Sequence, residues 1–239
     1  MIEPPPFDMI IETEMERYRY DTWATKEPET IAWIDSFRPG SVFFDIGANI
    51  GIYSLYCAKK HPRGHVIAVE PHTPNHDRLL DNMMLNELKN MQIYEYAIGS
   101  RCRTETFYAN SCESGTSGGQ IAEARDENGD KFNPAFEERI LCVTLDFLAC
   151  ITMQPTHIKI DIDGQEERVL CGGVQTLASP ILQSVLIELT AASDRAEVVR
   201  LFELLGFTEH NKFNSMVNHS RVRRQREGIQ AENIIFTRT

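Results

Sequence analysis

The sequence predicts an α/β fold, a mostly parallel sheet with helices on both faces, and three observations carry that prediction. In "SVFFDIGANIGIYSLYC" an apolar run ends at Asp45, two glycines follow at Gly47 and Gly51, and a helical pattern begins. Strand-like and helix-like segments then alternate through the first hundred residues. A second buried run, "HIKIDIDG", repeats the strand-then-turn pattern further along the chain.

Taken in order, residues 1–40 read as an irregular lead and a helix over Glu27–Phe37, closed by Pro39 and Gly40. Residues 41–239 read as one domain. Its strands are expected at Val42–Asp45, His65–Glu70 and Gln92–Ile98. The intervening helices are Ile50–Lys60 and a second that ends near Leu85, with Thr73 as its N-cap and Pro74 in its first turn. Ser111–Pro134 is rich in glycine, serine and charge and reads as a long surface loop. A short strand at Ile140–Thr144 precedes a helical turn at Leu145–Ala149. Then come a strand and short helix in "THIKIDIDGQEERVLCGG", a strand at Ser184–Leu189, and an amphipathic helix over Asp194–Leu205 that stops at Gly206. Phe207–Phe213 and Asn233–Arg238 are expected to pair antiparallel around a basic loop.

The net charge of −11 over 239 residues argues against a general nucleic-acid binder. The basic run "RVRRQR", Arg221–Arg226, reads as a solvated loop, with contact to an anionic partner as the alternative. The cysteines are scattered, with no C-x-x-C pair, which excludes a recognisable zinc site or disulfide framework and points to a reducing, cytoplasmic setting. The acidic, proline-bearing N-terminus is unlike a secretory signal, and no run approaches the ~18 apolar residues of a membrane span.

Ligands of open α/β sheets bind beyond the carboxyl ends of the strands. Gly47 and Gly51 would bring backbone close to a ligand, and the helix start would offer N–H groups. Glu70, at the end of the second strand, is placed to accept hydrogen bonds from ribose hydroxyls. The turn is D-x-G-x-x-x-G, with Ala48 and Asn49 between its glycines, so it lacks the G-x-G-x-x-G of dinucleotide sites and the G-K-[ST] of a P-loop. Asp45 suits a cationic ligand better than a diphosphate. S-adenosylmethionine meets those demands, as a ribose, a carboxylate and a sulfonium.

"FFDIGANIGIYSL", "VIAVEPHTPNHDRLLDN", "YAIGS", "VTLDFL", "IKIDIDGQEERVLCGG" and "VLIEL" together resemble the FkbM-type S-adenosylmethionine-dependent methyltransferases across residues 40–190. The resemblance implies a Rossmann-like class I methyltransferase fold, with a seven-stranded sheet whose last strand is antiparallel. It also implies methyl transfer to a hydroxyl of a sugar, polyketide or similar acceptor. By that pattern Asp45, Gly47, Ala48, Asn49 and Gly51 line the methionine end, Glu70 and Pro71 the ribose, and Ala97 and Ile98 the adenine.

In "HIKIDIDG" the isoleucines Ile158, Ile160 and Ile162 share one face, leaving Lys159, Asp161 and Asp163 on the other. Asp163 is expected to N-cap the next helix, with Glu166 as the reciprocal partner. Asp161 lies where the methyl group should sit, a candidate for cofactor binding as well as for catalysis, with Lys159 as its ion-pair partner. Glu188 opens on the same sheet edge. As general base the order is Asp161, then Glu188, with His72 a third choice that reads better as a solvated loop residue. Asp161, Asp163 and Glu188 could supply oxygen ligands, but their spacing does not demand a metal, and none is assigned. Thr116 and Ser117, within the glycine-rich loop, and Lys159 are candidate contacts to a small-molecule or glycan acceptor. Two alternatives stand beside methyl transfer, a nicotinamide-dependent oxidoreductase and a non-catalytic nucleoside-binding scaffold. Oligomeric state is left open.

Overall fold

The computed structural model describes residues 4–124, 131–190, 193–210, 213 and 231–238. Two helices, α1 (Glu14–Asp21) and α2 (Pro28–Asp35), precede the first strand. Then follow β1 (Val42–Ile46), α3 (Ile52–Lys60), β2 (His65–Val69), α4 (Thr73–Leu85) and β3 (Met91–Tyr94). A middle section holds β4 (Ala97–Ile98), β5 (Arg103–Ala109), β6 (Gln120–Ile121) and β7 (Phe136–Val143). The chain continues through α5 (Leu145–Ile151), β8 (His157–Ile160), α6 (Glu166–Gly172), α7 (Val174–Ala178), β9 (Ser184–Leu189), α8 (Arg195–Leu204), β10 (Phe207–Glu209) and β11 (Glu232–Arg238).

The main sheet has seven strands in the order β10-β11-β9-β8-β1-β2-β3. Its inner pairs are parallel, while β11 runs antiparallel to both neighbours, as expected for the last strand. The order reverses at β1, so the ends of β1 and β8 open onto a crevice.

Every residue of β1 is buried, as a parallel strand covered on both faces requires. Alternation sorts the side chains. Phe44, Ile46, Ile158, Ile160 and Ile187 pack under Leu145, Leu148, Val169 and Phe202 from the later helices. Phe43, Val66, Ala68, Leu186 and Ile235 pack under Leu55, Leu79 and Trp33, with Phe7, Trp23 and Phe37 from the N-terminal segment. Phe43 and Phe44 are fully buried and each contributes roughly 1.5–3 kcal/mol by leaving water. Trp33 Nε1 donates to Ser184 Oγ at 2.8 Å, and Asn233 Nδ2 donates to Glu29 Oε1 at 3.0 Å, fastening α2 to β9 and β11.

Several elements differ from the sequence expectation. The single strand over Gln92–Ile98 is two, because the chain leaves the main sheet after Tyr94. β4 joins a separate four-stranded sheet, β4-β7-β5-β6. The expected surface loop Ser111–Pro134 therefore contributes β6, and the strand at Ile140 begins earlier, at Phe136. The irregular lead contains α1, closed by a capping box between Thr13 and Glu16. His72, not Thr73, occupies the cap position of α4. Asp163 is not the N-cap of α6: its φ of 57° turns the chain left-handed, and Gln165 takes the cap position. The basic run Arg221–Arg226 lies outside the described residues. Among the described residues no helix is long and apolar enough to cross a membrane.

Candidate active site

The turn after β1 is left-handed at Gly47 (φ 81°), Asn49 (φ 51°) and Gly51 (φ 95°). A Cβ on Gly47 would overlap the carbonyl oxygen of Asp161, and one on Gly51 would overlap the Leu79 side chain. Both glycines thus serve close packing, and only Gly47 also reaches the cavity wall. The turn's N–H groups are all engaged within the protein. Gly47 and Ala48 donate to Val69 O, and Gly51 donates to Ala48 O. Asn49 N donates to Glu70 Oε2 at 2.8 Å, and Ile50 N to Asn49 Oδ1 at 2.9 Å. The turn's own amides are therefore spent on its shape, and the first-turn N–H groups of α3, which begins at Ile52, lie beyond it.

Glu70 follows β2, is buried, and faces the cavity. Its Oε1 accepts from His72 N at 3.1 Å. Burial outweighs these donors and pushes its pKa up to about 7. A carboxylate so placed gains from further donors, and the hydroxyls of a ribose supply them. His72 is buried rather than solvated, packed against Phe136 at a ring separation of 5.0 Å, and burial holds its pKa down.

The cavity encloses about 320 Å3, near the lower end of small-molecule sites at about 300–1000 Å3. Gly47, Asn49, Glu70 and Pro71 wall one side, and Asp161, Asp163 and Glu188 another. An adjoining, more apolar pocket is lined by Ala97, Ile98, Tyr96 and Phe107. A second small recess, beside Ala48, is lined by Lys159 and Tyr53. The shape and chemistry fit an adenosyl group with its sugar against Glu70.

A strap made from residues 114–120 crosses the site. Thr116 O accepts from Asn49 Nδ2 at 2.7 Å and Asn75 Nδ2 at 3.1 Å. Asn75 Oδ1 in turn accepts from Gly115 N at 2.8 Å. Further along, Gly118 N donates to Asp163 Oδ2 at 2.7 Å. This is the work Asp163 does in place of helix capping. Glu166, its expected partner, instead accepts from Gly164 N and Ser193 Oγ. Thr116 and Ser117 both line the cavity.

Beyond β8 lies a buried charged group. Lys159 Nζ stands 2.5 Å from Asp161 Oδ2. Burial alone would favour the neutral amine, but Asp161, Glu27 and Asp45 raise the lysine's pKa and keep it protonated. Burial also opposes ionisation of Asp161, yet the Lys159 ammonium holds its pKa below the usual carboxylate value. A hydrogen bond to Glu188 also helps hold the Asp161 pKa down. Carboxylate oxygens of Glu27, Asp161 and Glu188 lie within 4.8 Å of one another, a spacing that could hold a cation, although the Lys159 ammonium already neutralises Asp161. Asp45 sits behind the wall rather than on it, with Oδ2 accepting from Ser54 Oγ at 2.5 Å and burial raising its pKa.

Two parts of this site escaped the sequence reading. One is Glu27, fully buried, hydrogen-bonded to Tyr53 and Thr30. The other is α1, which sends Met15, Tyr18 and Arg19 to the cavity. The i, i+3, i+4 spacing of those three residues was the available signal.

A sheet with this strand order, with a cavity at the switch point lined by the acid that follows the second strand, is the arrangement of a class I, S-adenosylmethionine-dependent methyltransferase. A profile of the methyltransferase FkbM domain matches residues 45–216. The chain belongs to the FkbM methyltransferase family. The 31-O-demethyl-FK506 methyltransferase FkbM of Streptomyces tacrolimicus is 27% identical over 198 residues, covering 72% of this chain and 74% of that protein. Methyltransferase 1 of Beauveria bassiana is 25% identical over 184 residues, with the same coverage of 72% and 74%. The AMB antimetabolite synthetase AmbE of Pseudomonas aeruginosa is 37% identical over 93 residues, 39% of this chain; the match spans only 4% of the synthetase. Among solved structures, a precorrin-6y C5,15-methyltransferase from Geobacter metallireducens is 12% identical with a TM-score of 0.48, covering 84% of this chain and 78% of its own. Family membership sets aside the nicotinamide-dependent alternative.

Proposed function

We propose that the chain transfers the methyl group of S-adenosylmethionine to a hydroxyl of a small metabolite, such as a sugar or polyketide, or of a glycan. The single observation that carries this reading is an ionised carboxylate, Asp161, on the cavity wall beside Glu188 and across the turn from Gly47. The donor supplies an electrophilic methyl group when bound. Glu70 and Pro71 hold its ribose, Ala97 and Ile98 border its adenine, and Gly47, Ala48 and Asn49 flank its methionine end. Asp45 and Gly51 act from behind the wall, the first through Ser54 and Lys159, the second by packing.

Asp161 accepts the acceptor's proton, Lys159 keeps it ionised, and Glu188 orients it through the shared hydrogen bond. Thr116, Ser117 and Lys159 border the acceptor, and the strap limits water. The name of the Streptomyces relative, a 31-O-demethyl-FK506 methyltransferase, favours oxygen as the acceptor atom.

The test is incubation with isotope-labelled S-adenosylmethionine and host metabolite or glycan extract, followed by mass analysis of methylated products. Label on an alcohol oxygen, lost in Asp161→Asn and Glu188→Gln, is the expected result. Label on nitrogen would overturn the acceptor assignment. Calorimetric binding of S-adenosylhomocysteine without any transfer would favour a non-catalytic scaffold.

A further inference from the structure

The donor's amino-acid end carries a carboxylate, and the cavity is poorly prepared for one. Its walls already hold Glu70, Asp161, Asp163 and Glu188. The N–H groups of residues 47–51, which form the turn ahead of α3, all have partners inside the protein. A further anion entering such a space is repelled unless a cation receives it.

Two cations line both the cavity and the recess beside Ala48, namely Arg19 and Lys26. Lys26 is already committed, with Nζ 3.2 Å from Glu27 Oε1. Arg19 is not: Nε donates to the carbonyl of Gly115 at 2.5 Å, and among the described residues no carboxylate lies within ion-pair distance of its guanidinium. That one bond fixes the plane of the guanidinium and leaves both terminal nitrogens for a ligand.

The scaffold behind Arg19 is well braced. Glu16, three residues earlier on α1, is buried. It accepts from Arg78 Nε at 2.6 Å and also from Ser114 Oγ and from Thr13 N. The helix is thereby clamped to α4 on one side and to the strap on the other. Arg19 reaches close enough to lower the pKa of Glu70, so it spans the space between the ribose acid and the turn.

We infer that Arg19 is the receptor for the donor's amino-acid carboxylate, a task the glycine turn does not perform in this chain. The inference stands on donor binding alone and is independent of the acceptor. It makes α1 part of the donor site rather than a cover for it. It also couples donor to strap, because the same side chain holds Gly115.

The experiment is calorimetric titration of the full chain with two ligands, S-adenosylhomocysteine, which has the carboxylate, and 5′-methylthioadenosine, which has the same nucleoside without it. Arg19→Gln should weaken the first by about ten- to a hundredfold and leave the second within about twofold. Arg19→Lys, which keeps charge but loses the fork, should fall between. Unchanged 5′-methylthioadenosine binding reports that the variant is folded. On wild-type protein, decarboxylated S-adenosylmethionine should bind at least about tenfold more weakly than S-adenosylmethionine, and Arg19→Gln should erase that difference. Equal weakening of both nucleosides would assign Arg19 to holding the strap and overturn the inference, as would no weakening of either.

Discussion

Gly47 and Asp161 meet backbone to backbone: there is no room for a Cβ on the glycine beneath the carbonyl oxygen of the aspartate. The turn after β1 and the end of β8 are thereby locked in register. Gly47→Ala combines that overlap with a left-handed φ of 81° and should destabilise the protein by about 2–5 kcal/mol. Gly40 has a similar φ of 85° but open space around it. Gly40→Ala should therefore cost only about 1–2 kcal/mol. Denaturant unfolding of the two variants measures the difference, and equal losses would contradict the close-approach explanation.

Glu70 gives the stability a pH signature. Its pKa rises from an ordinary 4.5 to about 7 in the fold because burial disfavours the charge. The native state then holds a proton that the unfolded chain releases. The resulting stabilisation is complete below about pH 4.5 and is lost as pH rises through about 7. Glu166, also raised to about 7 chiefly by burial, acts in the same direction. Thermal midpoints at pH 5 and pH 8 should fall less between the two values in Glu70→Gln and in Glu166→Gln than in wild type. Saturating S-adenosylhomocysteine should shrink the wild-type loss, since ribose hydroxyls favour ionised Glu70.

Asp161→Asn removes the proposed proton acceptor while preserving shape. Transfer of label to the extract acceptor should drop by about 10²–10⁴-fold. S-adenosylhomocysteine affinity should stay within about threefold, since uniform donor binding does not depend on this group. A variant that keeps wild-type transfer would remove Asp161 from the chemistry and promote Glu188.

Asn75 is the post to which the strap is tied, through both Thr116 and Gly115. Asn75→Ala should expose residues 113–120 to protease, accelerating cleavage there several-fold in the absence of ligand. S-adenosylhomocysteine should slow that cleavage in wild type. Cleavage insensitive to both the variant and the ligand would show that the strap is not closed by these bonds.

The strands and helices that enclose the donor were legible because they follow simple periods. VFFDI is buried throughout and HVIAV after its first residue, and α3 and α4 follow directly from them. What escaped is polar on the page. α1, EMERYRYD, offers a single buried residue, a glutamate, so no apolar stripe announces it. β5, RTETFYA, is exposed at its start and buries only alternate residues near its end. The Asp163 expectation failed because a capping aspartate and a left-handed aspartate before glycine look alike in sequence. Glu27 reads as one acid in the charged stretch KEPET, and only the fold shows it buried against Tyr53. Local propensity cannot report a contact made across the sheet.

The bond between Glu29 and Asn233 joins residues 204 positions apart, and β11 pairs with β9, where Asn233 stands opposite Glu188. During synthesis the donor turn, its acid and the strap emerge well before their last neighbour does. Until β11 inserts, the edge of β9 is open and the Glu29 carboxylate lacks its amide donor. The Glu188 side of the pocket wall thus depends on a segment far along the chain from the donor turn, and its long loop closure makes that side the slow contact to form.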